Sequence, residues 1–583
     1  MERVPEIWLD DARQGCMQRF MRPVGIVTAQ EPQDVPAALA QLEAARAKGL
    51  HAAGYFAYEL GYALEPQLHN LLPPQRALPL LWFGLFEACE TLAPDAFAAR
   101  ICGRAYAGPL KHEWEEDSYA ERFERVHDYI GAGDIYQANL SFRSQFAFVG
   151  DPRALYWNLR ARSGAAHCAY IDDGTWQILS LSPELFFDLS CDGALAAKPM
   201  KGTAARGADS AADAMARQAL RGSEKDRAEN LMIVDLLRND LGRVAALGSV
   251  RVEDLFAVET FPTLHQMVST VKAQLLPRAG IAEIVRALFP CGSITGTPKI
   301  RAMEIIRELE ASVRGVYCGA IGHFAPDGSA RFNVAIRTLT LANGRGELGI
   351  GGAIVQDSTA PSEYAECVLK ARYYELGRRP IELIETLRFD PAAGFVRIDL
   401  HLARVRASAA ALGMPFDESA AKVVLNSVVN AGVARVRLTL NEEGTFAAAA
   451  APLPATPESW TYAISQLSMQ SGDALLRHKT AWREVYESEQ ARLAMQSGCD
   501  EVIFVNERGE LTEGSRTNIF LRIGGELLTP PLASGVLGGC LRRELIESGN
   551  CREAVLTPDD LACAEDIYLG NSLRGLIRAV PAT

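Results

Sequence analysis

Lys201 stands where lysines are seldom found. The stretch LAAKPMKGTA, residues 195–204, places Lys198 and Lys201 around Pro199 and Met200, with Gly202 and Thr203 behind, at the end of what reads as a strand. Lysine ordinarily occupies solvated faces, so one in a tight Pro/Gly turn is either an incidental surface residue or a reagent. Three carboxylates form a second constellation. Glu363 and Glu366 fall on one face of a predicted helix, Lys370 follows one turn later, and Glu229 lies on another predicted helix. Together they can offer oxygens to Mg²⁺, which takes a few carboxylates and keeps several waters. The plainer alternative is three solvated helix carboxylates. In GSITGTPK (292–299), glycines, small hydroxyls and a proline precede a helix; such a turn presents backbone N–H groups to an anion, or merely caps the helix. Further on, LLTPPLASGVLGGCLRREL (527–545) reads as a strand, a Gly-rich turn suited to a phosphate and a helix, while Glu513 and Asn518 flank a small-residue turn between strands.

The elements that must hold these groups are legible in outline. AALAQLEAARAKG reads as a helix stopped by Gly49, and GYFAYELGYALEP (54–66) as strand-like. SYAERFERVHDYIGAGDIYQANLS is helical in period until Gly131 and Gly133, then alternates as a strand. DRAENLMIVDLLRNDLGRV predicts a long amphipathic helix; ARFNVAIRTLTL and ELGIGGAIV predict adjacent strands joined by ANGRG. Gly377 and Pro380 end a helix and mark a boundary, and APLPATPESW (451–460) reads as a connector. A chain of 583 residues is too long for one core. The pattern predicts a large α+β unit of about 375 residues followed by a smaller α/β unit of about 200.

Bulk properties exclude some functions. A net charge of −13 argues against nucleic acid as a partner but leaves room for a small anion in a local basic pocket. The 12 cysteines form no CxxC pair and no zinc-like cluster, which fits a reducing cytoplasm. The start, MERVPEIWLD, does not read as a signal peptide, and the longest apolar run, ALPLLWFGLF, is far short of a membrane span.

Residues 1–376 resemble the chorismate-utilising enzymes: anthranilate synthase, isochorismate synthase and aminodeoxychorismate synthase component I. The resemblance is carried, in family order, by GDIYQANLS, SPELFF, KPMKGTAARG, EKDRAENLMIVDLLRNDLGRV, HQMVSTV, GSITGTPK, YCGAIGH, FNVAIRTL and GGAIVQDSTAPSEYAECVLKA. Anthranilate-forming relatives carry P-I-A-G-T at the turn and aminodeoxychorismate synthases P-I-K-G-T; here it is Pro199-Met200-Lys201-Gly202-Thr203. The resemblance implies a chorismate-binding α+β sandwich in which Lys201 is a nucleophile toward C2 of chorismate and Glu184 the general acid for the departing C4 hydroxyl. It implies that Arg337, Tyr317, Lys370 and amides near Gly352 and Ala353 hold the two carboxylates, with Thr295 among the substrate contacts and His265 near the ring substituents. Glu229, Glu363 and Glu366 would hold Mg²⁺. A lysine of ordinary pKa, about 10.4, is a poor nucleophile at pH 7, so burial and neighbouring cations must lower it. No cysteine sits in the Gly-flanked elbow of a glutamine amidotransferase, so ammonia must come from a separate amidotransferase subunit or be supplied free.

Residues 377–583 resemble the fold-type IV pyridoxal-phosphate enzymes, which include branched-chain and D-amino acid aminotransferases and aminodeoxychorismate lyase. The carriers are HLARVRASAAALGMPF, the span 474–521 with RHKTAWREVYESE, LLTPPLASGVLGGCLRREL and IYLGNSLRGLIRAV, over a small subdomain to about 465 and a larger one beyond. The resemblance implies that Lys479 forms the Schiff base with pyridoxal 5'-phosphate and Glu513 pairs with the pyridinium nitrogen. Arg404, the Gly535–Val536 turn and Ser572 would bind the phosphate. Ala481-Trp482 departs from the small polar residue and Asn of many relatives, and the indole is expected to reshape the substrate side of the pocket. Because the first half would make the lyase's substrate, the fusion implies consecutive steps of 4-aminobenzoate synthesis for folate. The competing expectations are an anthranilate-type synthase fused to an aminotransferase-like domain, and a C-terminal module that docks without catalysis. A homodimer through the C-terminal unit is also expected, with neither nucleic acid nor membrane as partner.

Overall fold

The computed structural model describes residues 4–11, 14–260, 264–429 and 432–582, and divides into two compact units. The first comprises Met1–Ala99, Leu110–Phe146 and Tyr156–Gly377. One sheet runs Gly296–Thr297, Gln137–Gly150, Arg345–Ile354, Thr338–Ala342, Trp176–Ser182, His167–Asp172, Glu6–Asp11, Cys16–Met21 and Glu90–Leu92. The other runs Met200–Ala205, Leu264–Gln274, Ala194–Lys198, Leu185–Leu189, Ala330–Val334, Ala320–Phe324, His51–Phe56, Leu81–Phe86 and Gly25–Ala29. Successive strand residues face opposite sides, and the chain uses both sides. Trp82 joins Tyr55, Ile7, Phe20, Ile171 and Ile178 between the sheets. Its neighbour Phe83 points the other way, with Phe332, beneath Leu39, Leu42, Ile233, Leu237, Ile284 and Val285. Those residues belong to the helices Val35–Ala47, Glu224–Gly242 and Ile281–Leu288. The result is the expected α+β sandwich, with helices over one outer face.

Two local expectations change. ARFNVAIRTLTL is not one strand: Ala330–Val334 lies in one sheet and Thr338–Ala342 in the other, with Arg337 at φ 50° in the crossing. Both pieces are mostly buried, so an unbroken apolar pattern hides the break. GYFAYELGYALEP likewise ends its strand at Phe56 and continues as the short helix Leu60–Leu64, buried on nearly every side.

The second unit is assembled from three stretches of chain: Arg100–Pro109, Ala147–Leu155 and Arg378–Thr583. The boundary at 377 therefore divides the sequence but not the second fold, which takes two upstream pieces as well. A small sheet orders Gly394–Phe395, Leu383–Asp390, Ala434–Leu440 and Phe446–Pro452 beside the helices Ile398–Ala411 and Glu418–Ser427. In ARVRLTL the alternation is plain, with Ala434, Val436, Leu438 and Leu440 buried and the arginines between them exposed. After the connector 453–458, a mixed sheet from Ser459–Met469 to Gly575–Pro581 closes on itself where Leu511–Gly514 pairs with Asn518–Ile523. Tyr106 is fully buried in the smaller core with Leu402, Val405, Leu475 and Trp482, and Val149 packs against it. Ala147 lies against Gly413, whose positive φ and missing side chain allow the approach.

Candidate active sites

A β-bulge aims Lys201. Met200 pairs with Val268 and Thr203 with Gln266, so Lys201 and Gly202 together oppose the single residue Met267. Such an insertion re-aims a side chain without ending the strand. Gly202 is needed twice: its φ is +81°, and a Cβ there would lie 2.8 Å from the side chain of Asp226 on the helix Glu224–Gly242. The lysine is half-buried, and desolvation of its amine pushes its pKa down; Lys370 pushes the same way, while Glu229, Glu184 and Glu366 oppose it. Lys201 is thus surrounded by the groups the sequence singled out.

Glu184 is 5% exposed and accepts a 2.8 Å hydrogen bond from the Ser293 hydroxyl. Burial pushes its carboxyl up to about 7, although Ser293 and Lys201 pull it down. A carboxyl raised this far keeps its proton at a higher pH than an ordinary glutamate, which suits a proton donor. Ser293 was missed by sequence reasoning, which took GSITGTPK as a source of backbone amides; the signal was the hydroxyl in that turn.

The three proposed metal ligands are not drawn into one cluster. Glu363 accepts from Ser358 at 2.7 Å, Glu366 pairs with Lys370 at 2.9 Å, and Glu229 lies 4.0 Å from Lys225. Each carboxylate has turned to its own partner. The donor set nevertheless fits Mg²⁺. Burial and the nearby Glu366 hold the Glu363 pKa high, and a divalent cation among these carboxylates would relieve both. Burial also disfavours the Glu366 carboxylate, yet Lys370 and Lys201 hold its pKa low.

Arg337 is desolvated, which lowers its pKa, and no ion pair engages it among the described residues. A half-buried, desolvated guanidinium without a counter-ion suits a substrate carboxylate. Tyr317 lies across Gly349, where a Cβ would come within 2.2 Å of its ring, and its hydroxyl is 3.5 Å from Ser141 Oγ. A Cβ on Gly352 would stand 3.3 Å from a Glu363 oxygen and 3.7 Å from the Lys370 amine, which donates to Gly351 O at 2.9 Å. Ala353 follows, half-buried, in the same strand. Two residues point elsewhere. His265 is taken by Asp213 and Thr260, both at 2.9 Å. The Thr295 hydroxyl donates to the carbonyls of Cys291 and Gly292.

In the second unit the segment carrying Lys479 is added to the edge of the strand Leu383–Asp390. Ile384 N–H donates to Lys479 O at 2.9 Å and Ala481 N–H to Glu382 O at 2.8 Å. Burial, then Arg483 and Arg404, lower the Lys479 amine to about 8 against the pull of Glu385 and Glu513. Glu513 accepts from Tyr486 Oη at 2.8 Å and Leu537 N–H at 3.0 Å, and burial raises its pKa. Arg404 forms a fork on Glu385 at 2.8 and 2.5 Å and donates to Gly538 O at 3.1 Å. Ser572 Oγ lies 2.8 Å from His401 Nε2, whose other nitrogen meets Glu385 at 2.6 Å. Sequence reasoning missed His401, although it shares a helix face with Arg404 three residues on. Glu385, His401 and Cys540 gather their ligand atoms within 4.8 Å. The Arg404 fork and His401 occupy that carboxylate, so the trio is an ion-paired cluster.

These groups fit pyridoxal phosphate: a lysine with a lowered pKa, a buried carboxylate, an arginine and a helix start. The helix Cys540–Glu547 begins beyond Gly539, where a Cβ would come 1.9 Å from Asn518 Oδ1. Its outward amides thus lie several residues past the Gly535–Val536 turn. The Trp482 ring packs into the smaller core of this unit. Its Nε1 donates to Pro380 O at 2.9 Å, Arg379 stacks on it at 4.7 Å, and Tyr106 meets it edge-on at 6.5 Å.

Residues 100–374 match the chorismate binding enzyme family and residues 382–580 match amino-transferase class IV. The chorismate-binding part of the chain is 47% identical over 250 residues to aminodeoxychorismate synthase component 1 of Klebsiella aerogenes, covering 43% of this chain and 55% of that protein. The corresponding protein of Escherichia coli K12 is 44% identical over 262 residues, 44% of this chain and 57% of that protein. The chain thus spans about half the length of the curated relatives it matches. Among solved structures, anthranilate synthase component I from Streptococcus pneumoniae TIGR4 is similar at 25% identity and a TM-score of 0.53, over 64% of this chain and 92% of that one.

Proposed function

We propose that this chain makes 4-aminobenzoate in two steps: amination of chorismate to 4-amino-4-deoxychorismate, then elimination of pyruvate. The observation that carries the first step is a half-buried, bulge-mounted Lys201 whose amine is desolvated, beside a Glu184 poised near pH 7. The neutral Lys201 amine attacks C2 of chorismate. The ring electrons shift, and the C4–O bond breaks as Glu184 protonates the departing hydroxyl. Ammonia then adds at C4 and the C2–N bond to Lys201 breaks, returning the amine. Arg337, Tyr317 and Lys370 hold the substrate carboxylates. Glu229, Glu363 and Glu366 would hold Mg²⁺, which neutralises carboxylate charge. The name component 1 on the relatives supports a separate amidotransferase that delivers ammonia.

For the second step, pyridoxal phosphate supplies an electron sink when bound at Lys479. The chain's residues would do the rest: Lys479 would take the C4 proton, Glu513 would hold the ring nitrogen, and Arg404, Ser572 and the start of the helix Cys540–Glu547 would hold the phosphate. We place the enzyme in the cytoplasm, where its twelve unpaired cysteines stay reduced. No helix among the described residues is long and apolar enough to cross a membrane. We also expect a homodimer through the second unit.

The test supplies the purified chain with chorismate, Mg²⁺, pyridoxal phosphate and an ammonium salt at mildly alkaline pH, and resolves products by mass. The expected products are 4-aminobenzoate and pyruvate. Anthranilate would overturn the role of Lys201, and accumulated aminodeoxychorismate would demote the second unit.

Glu184→Gln should lower amination about 10²- to 10⁴-fold. In the wild type, activity should fall as pH rises through about 7 and the acid loses its proton. Stability should follow the same group. A carboxyl raised from 4.5 to about 7 makes the folded state bind more protons, so stability is lost as pH rises across that window. The variant should therefore be more stable at pH 8, by on the order of 3 kcal/mol, with the gain vanishing below about pH 4.5. Thermal unfolding at the two pH values checks it.

A further inference from the structure

We propose that Arg104 is a positioning residue of the pyridoxal-phosphate site, fixing both ends of the segment that carries Lys479. This rests on the role given to Lys479 above. Arg104 falls within the stretch that matches the chorismate binding enzymes, yet it lies in the second unit. Its Nε donates to Asp473 Oδ2 at 2.7 Å and its Nη1 to Trp482 O at 3.1 Å. These two acceptors bracket Lys479. Asp473 is buried at 8% exposure, and its other oxygen caps the turn Ala474–Arg477 through Leu475 N–H at 2.9 Å. One guanidinium therefore ties the start of the lysine segment to its end.

The neighbouring residues support the clamp. A Cβ on Gly103 would stand 3.2 Å from the Asp473 Cα, so glycine lets the chain come this close with ease. Tyr106 meets the Trp482 ring inside the smaller core. The middle of the segment is held separately, by the hydrogen bonds of Lys479 and Ala481 to residues 384 and 382. Removing Arg104 would leave Asp473 a buried carboxylate without its cation and Trp482 O without this donor. The cheapest relief is local opening of 473–482, which would free the lysine amine from its fixed direction. Arg104 acts through Asp473 and Trp482.

The experiment compares full-length wild type, Arg104→Ala, Arg104→Lys and Asp473→Asn. Hydrogen exchange of the amides at 474–482 should quicken at least about tenfold in Arg104→Ala. Pyridoxal-phosphate binding, read from the absorbance of the lysine-linked cofactor, should weaken by about tenfold. Amination of chorismate should be unchanged. Arg104→Lys should recover part of the protection, since it keeps the charge but lacks the fork. If Arg104→Ala does not fold, Arg104→Lys and Asp473→Asn carry the test, each expected to loosen the same amides. Exchange at 474–482 within twofold of wild type in all variants would overturn the proposal. A wild type in which the cofactor does not attach to Lys479 would overturn the role of that lysine instead, while the exchange result would still decide whether Arg104 holds the segment.

Discussion

Lys201→Ala abolishes amination of chorismate, by at least about 10³-fold, while added aminodeoxychorismate is still converted to 4-aminobenzoate and pyruvate. The argument is chemical and electrostatic. Lys201 reaches its site through a bulge, and burial with Lys370 nearby lowers its pKa, which raises the share of nucleophilic amine. Glu184, Glu229 and Glu366 would keep a cation satisfied there, so a purely structural role must be separated from a covalent one. Lys201→Arg does so: it keeps the charge, but a guanidinium does not deprotonate, so it should be as inactive as the alanine variant. Substantial amination by Lys201→Arg, measured in the ammonium assay, would assign the residue to charge balance alone.

Lys479→Ala should do the converse. Chorismate is aminated at the wild-type rate, aminodeoxychorismate accumulates, and pyruvate release falls by at least about 10³-fold. With its amine lowered to about 8, Lys479 has a substantial neutral fraction near neutrality, so cofactor attachment in the wild type should increase with pH around 8. The same depression burdens the fold. Between about 8 and 10.5 the unfolded chain binds more protons than the folded one, so this group's contribution to stability rises with pH over that window. Lys479→Met, which fills the site without a charge, should therefore melt higher than wild type at pH 7. Undiminished pyruvate release by Lys479→Ala would move the elimination to another residue.

What the sequence revealed depended on whether a feature was local. Lys201, Gly202 and Thr203 are consecutive, so their turn could be recognised, and the structure adds the reason for its shape: a bulge opposite Met267. The α+β sandwich was implied by the family resemblance, and the closure of the second unit's sheet, made where Leu511–Gly514 pairs with Asn518–Ile523, was not anticipated. Features made by distant residues stayed hidden. Nothing in GSITGTPK says that the Ser293 hydroxyl meets Glu184, 109 positions away. The carboxylates Glu229, Glu363 and Glu366 share a neighbourhood, but their separate partners, Lys225, Ser358 and Lys370, decide where each one points. Trp482 was singled out because Ala481-Trp482 departs from the pattern of many relatives; its ring belongs to a core that draws most of its members, Tyr106 among them, from far upstream.

That last core also sets an order in time. Arg104 and Trp482 are separated by 378 residues. At a synthesis rate of about 5–20 residues per second, the upstream pieces of the second unit wait roughly 20–75 s on the ribosome before their partners exist. Through that interval Tyr106 and Val149 have no core to enter, and they form the kind of exposed apolar surface that chaperones bind. The second unit therefore closes only after Trp482 and the strands that follow it have been made. Dividing the gene at residue 377 would separate Tyr106 from Trp482, so two separately translated halves would have to find each other by diffusion before that core could form.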